Sequence, residues 1–70
     1  MYRITTITPK GTFVQHAVNR NVSDALLSMA HDALVQDGYL LVHLDPTVPD
    51  GDQYGYWNGH EHAAIIVVKS

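Results

Sequence analysis

The spacing of apolar positions changes several times along this chain, and each change marks an element. Residues 2 to 8, YRITTIT, are β-branched and aromatic, which suits a pleated strand. Residues 12 to 18, TFVQHAV, read as a second strand. Pro9-Lys10-Gly11 between them is turn chemistry, because proline presets φ and glycine accepts φ > 0. An antiparallel hairpin is expected. After a break at 19 to 22 the period becomes helical: Leu26, Met29, Ala30, Ala33 and Leu34 fall at i, i+3, i+4, i+7 and i+8. Ser23 suits an N-cap, Asp24 suits the positive end of the helix dipole, and Val22 with Leu27 suits a hydrophobic staple. Gly38 supplies a left-handed residue at the far end. The spacing predicts a helix over 24–37.

Residues 39 to 44, YLLVHL, predict an apolar strand with a place in the middle of a sheet. The stretch DPTVPDGD, 45 to 52, combines two prolines, a glycine and three aspartates and reads as an exposed loop. Asn58-Gly59 then separates two strand-like runs, 53–57 and 60–69, and predicts a two-residue type I′ turn. That turn would set Trp57 opposite His60, Tyr56 opposite Glu61, Gly55 opposite His62 and Tyr54 opposite Ala63. Alternation puts Gly55, Trp57, His60, His62, Ala64 and Ile66 on one face and Tyr54, Tyr56, Glu61, Ala63, Ile65 and Val67 on the other. The last strand is apolar on both faces toward its end, which predicts a central place. The fold class is therefore α+β: one domain, 1–70, with a single antiparallel sheet in the order ββαβββ and one helix packed on one face. A helix of about 14 residues is about 21 Å long. It covers part of such a sheet and leaves the other face exposed or buried by another molecule. The first strand is an expected edge.

Composition narrows the function. Seventy residues bury only about 60% of the unfolded surface, and without cysteine there is no disulfide staple and no thiolate for zinc. Charged residues make up 16%, below the roughly 25% of an ordinary domain, so much of the exterior is neutral or covered. The net charge is −3, with Arg3, Lys10, Arg20 and Lys69 scattered, which argues against direct nucleic-acid binding. The start MYRITTI has no leader pattern and IIVV is far shorter than a membrane span, so a cytoplasmic protein is expected.

Three chemistries are open to these residues. His60 and His62 point the same way and could share a cation, with His43 or Asp45 as a third ligand, but zinc ordinarily takes three or four protein ligands and no second such motif is present. Polar strand ends near solvent explain the same histidines. For catalysis, Ser23 and Ser28 lack a nucleophile-elbow context, His31 three residues after Ser28 reads as a surface histidine, and no glycine-rich phosphate loop occurs. Neither an enzyme nor a cofactor is expected. The third is an interaction surface. Tyr2, Tyr39, Tyr54, Tyr56 and Trp57 are numerous for this length, and Tyr and Trp are enriched at interfaces. Phe13 and one or two tyrosines are expected in the core. Tyr54, Tyr56 and Trp57, with Asp45, Asp50, Asp52 and Glu61 close by, are the expected partner-binding set. They would face a basic surface of a larger protein or ribonucleoprotein. A histidine-based metal-binding module, or a homodimeric regulatory module formed through the open face or an edge strand, is the alternative.

In size, lack of cysteine and hairpin–helix–sheet layout, the chain resembles the small anti-defence proteins of phages and mobile elements, including anti-CRISPR inhibitors. The resemblance covers the whole chain and rests on layout. It implies a non-enzymatic inhibitor that blocks a surface on a larger complex. It carries over no functional residue, and the modest charge departs from the strongly acidic DNA mimics of that group.

Overall fold

The computed structural model describes residues 1–46 and 51–69. The order is β1 (Tyr2–Thr8), β2 (Gly11–Ala17), α1 (Arg20–Gln36), β3 (Leu40–Asp45), β4 (Gly51–Trp57) and β5 (His62–Lys69). All five strands join one antiparallel sheet in the spatial order β2-β1-β5-β4-β3, with α1 on one face. The α+β reading and the ββαβββ order hold. So does the central place of the last strand, where β5 joins the N-terminal hairpin to the C-terminal meander.

Two strand positions differ from expectation. β1 is internal, between β2 and β5, and β2 is the edge. The apolar β3, expected in the middle, is the other edge. An apolar run reports a demand for burial and says nothing about how many neighbours the strand has. Here the demand goes unmet, since Leu40, Leu41, Val42 and Leu44 are between 45 and 66% exposed.

The helix begins a turn earlier than its periodicity suggests. Asn19 is the N-cap, and its side chain accepts a hydrogen bond from the Val22 N–H at 2.9 Å. Ser23 lies inside the helix, buried against the sheet. The C-terminus closes as expected on Gly38 at φ +93°. The Gly38 N–H donates to Val35 O and the Tyr39 N–H to Leu34 O, both at 3.0 Å, a Schellman arrangement that drops Tyr39 into the core beside Leu34. The buried stripe is rotated from the predicted one. Leu34 is buried and Leu26, Leu27 and Ala30 pack against the core, whereas Met29 and Ala33 are exposed.

The core is Ile4, Ala17, Leu34, Tyr39, Tyr56, Ala63 and Ile65. Phe13, expected there, is exposed on β2, because α1 lies over the sheet without closing on that edge. A groove of about 760 Å³ separates the two, lined in part by Phe13, Gln15, Met29 and Ala33. None of the helices among the described residues is long and apolar enough to cross a membrane.

Candidate functional site

The β4–β5 connection decides where the decorated hairpin points. Asn58 forms no two-residue turn. Its Oδ1 accepts from the His60 N–H at 2.8 Å and the Glu61 N–H at 2.7 Å, and its own N–H donates to Glu61 O at 3.3 Å. The side chain thus organises a four-residue loop, 58–61, and the register becomes Trp57 opposite His62, Tyr56 opposite Ala63, Gly55 opposite Ala64 and Tyr54 opposite Ile65. The slip is two residues. Side chains alternate with a period of two, so the predicted faces survive for the strand residues although every predicted cross-strand pair changes, while His60 and Glu61 pass into the loop and leave both faces.

The aromatic set therefore divides between the two faces. Tyr56 is only 1% exposed, and a hydrogen bond joins its hydroxyl to His31 Nδ1 at 2.6 Å. It is a core residue and offers no docking surface. Burial, with Tyr54 adding to it, raises the Tyr56 phenol pKa. Tyr54 is half-buried on the same face, its phenol raised first by burial and then by Asp52 and Asp24. Trp57 lies on the opposite face, 37% exposed, with its indole against the His62 ring at a centroid distance of 4.4 Å.

The carboxylates also fail to converge. Glu61 sits at the loop end of the sheet, near Lys10, Asp37 and Tyr39. There Tyr39 is raised by burial first, then by Glu61 and Asp37. Asp52 lies at the other end of β4, near Arg20, Asp24 and Lys69. Asp45 is on the β3 edge, its Oδ2 3.7 Å from His43 Nε2. Asp50 lies outside the described residues. The single aromatic–acidic patch expected at the hairpin is absent among the described residues. The candidate metal ligands are likewise apart: His60 is in the loop, His62 beside Trp57, and His43 on the outer strand. Among the described residues no three His, Asp or Glu side chains are grouped to hold a metal ion.

What the structure does assemble is the sheet face away from the helix. One cross-strand row runs Val14, Thr5, Ile66, Gln53, Asp45, and the next runs Thr12, Ile7, Ala64, Gly55, His43. A third is His62, Trp57, Leu40. Gly55 and Ala64 are adjacent and small, and they floor a recess of about 260 Å³ walled by Ile7, Gln53 and His62. A Cβ at Gly55 would sit 3.2 Å from the His43 Cβ, a tight contact that glycine avoids. The sequence pointed to Trp57 on this face. It did not point to Leu40 or the recess, which depend on pairing between strands distant in the chain.

The chain matches no family model, no curated protein and no solved structure.

Proposed function

We propose that this protein is a small non-catalytic binding domain that docks its uncovered sheet face onto a larger protein and blocks a functional surface there. One observation carries the reading: the face opposite the helix is uncovered and, among polar neighbours, exposes Ile7, Val14, Leu40 and Trp57, with Trp57 standing beside the recess over Gly55 and Ala64. At about 260 Å³ the recess falls below the roughly 300–1,000 Å³ of small-molecule pockets and suits one side chain of a partner. A tryptophan next to a side-chain-sized pocket is the arrangement that concentrates binding energy at protein interfaces. A blocker of the anti-defence type needs no chemistry of its own. The scattered carboxylates give no support to a basic partner surface, so shape and apolar area select the partner.

The test begins with capture from a host-cell extract on the immobilised protein, followed by titration of the purified captured protein. Trp57→Ala and Ala64→Tyr, which fills the recess, should each weaken binding by about tenfold or more. Met29→Lys, on the helix side, should leave it unchanged. Undiminished binding by folded Trp57→Ala and Ala64→Tyr would remove the open face from the account.

A further inference from the structure

We infer that the β3 edge is a seam between two copies of this chain, joined antiparallel β3 to β3 so that one sheet runs through both molecules, with Leu41 of each copy opposite Leu44 of the other. This inference does not rest on the docking reading. Among the described residues, the β3 edge carries few of the usual protections, its one irregularity between Leu41 and His43 apart. Exposed edge strands are ordinarily blunted by lysine, proline, shortness, a bulge or a covering element. β3 spans Leu40–Asp45 and reads LLVHLD, with neither lysine nor proline, and its four aliphatic side chains are exposed. The β2 edge differs: Phe13 and Val14 are flanked there by Thr12, Gln15 and His16.

The occupant is identified by self-complementarity. A twofold axis normal to the sheet pairs a strand with its own reverse and keeps each face on its own side. The full length of β3 can then pair in one register, with Leu40 opposite Asp45, Leu41 opposite Leu44 and Val42 opposite His43. In a regular strand Leu41 and Leu44, three apart, would lie on opposite faces and the register would fail. The irregularity between Leu41 and His43 removes the conflict. Leu41 pairs with Tyr56 and Leu44 with Tyr54, both on the helix face, while Leu40 and Asp45 pair with Trp57 and Gln53 on the other. The bulge of one copy meets the bulge of the other. Four leucines then form a layer on the helix side, in the space that α1 leaves open over β3, and the two Asp45 carboxylates fall at the ends of the seam.

Size sets the strength. A standard interface takes about 800 Å² from each partner, about a sixth of this chain's 4656 Å². Six residues of edge are about 20 Å long and offer less than that. The pair is therefore a reversible one, forming in the micromolar range or above. It places both helices on one side and both Trp57 faces on the other.

Sedimentation equilibrium from low micromolar to submillimolar concentration should show the mass rising from 7.8 kDa toward twice that value. Leu41→Lys/Leu44→Lys, which sets like charges opposite one another, should raise the dissociation constant by about tenfold or more. Phe13→Lys on the β2 edge should not. The register is read independently of the lysine variant's folding. The chain has no cysteine, so equimolar Leu41→Cys and Leu44→Cys proteins can be mixed and oxidised. The predicted product is the mixed 41–44 disulfide well above the half share that random pairing of an equimolar mixture gives. A monomer at every concentration, a dimer indifferent to a folded Leu41→Lys/Leu44→Lys variant, or no preference for the mixed disulfide would each overturn the proposal. None of these outcomes bears on docking, which the Trp57 and Ala64 variants test.

Discussion

Tyr56 shows how far a single residue can depart from its composition-based reading. Tyrosine near a hairpin tip suggests a surface anchor, but the pairing of Tyr56 with Ala63 turns it under α1, where His31 satisfies its hydroxyl. Alternation alone separated Tyr56 from Trp57. Which of the two faces receives the helix depends on the Ile4–Ile65–Leu34 packing and cannot be read locally. Tyr56→Ala should cost about 3–5 kcal/mol in urea unfolding, as for other buried aromatics. Tyr56→Phe should cost about 1 kcal/mol, the net value of one hydrogen bond, since His31 is half-buried and can turn to water. The same residue sets a pH dependence. Its phenol is raised above the ordinary 10.0, so the folded chain holds that proton to higher pH than the unfolded chain does. The contribution is complete below the unfolded value and lost as pH rises through the folded one. Stability should therefore fall on the alkaline side, and urea midpoints followed from neutral pH upward should fall less steeply in Tyr56→Phe. An unchanged slope would contradict the assignment.

Among the elements, α1 was legible in kind and at its C-terminus, because Gly38 has one clear use there. Its N-terminus was not, because Asn19 and Ser23 are both good caps and the apolar period starts after both. The structure places the cap at Asn19, so Asn19→Ala should cost about 1 kcal/mol. Ser23→Ala, inside the helix where alanine is the better former, should cost less. The reverse order in chemical denaturation would restore the shorter helix. The β4–β5 turn departs from its sequence signal for a related reason. Asn-Gly favours a two-residue turn, but Asn58 can also organise a longer loop by accepting two backbone N–H groups, and it does so here. Asn58→Ala should loosen that loop, seen as faster amide exchange at His60 and Glu61, with the Trp57–His62 pairing intact.

For the molecule as a whole, the element order, the single sheet and the partial roof provided by one helix were legible from hydrophobic period and turn chemistry. Strand order was not, because it depends on the pairing of β1 with β5, which lie at opposite ends of the chain. That pairing puts β5 at the centre, leaves β3 and β2 as edges, and assigns Trp57 rather than Tyr56 to the free face. The candidate site was thus half-visible in the sequence: its tryptophan could be found, but its recess and its edge could not. One measurement bears on the docking account most directly. Trp57 is the chain's single tryptophan, so acrylamide quenching of its fluorescence reports on that face alone. The account predicts efficient quenching in the free protein and a several-fold loss of quenching when the captured partner is bound. Quenching that is the same in the free and bound states would contradict docking through this face.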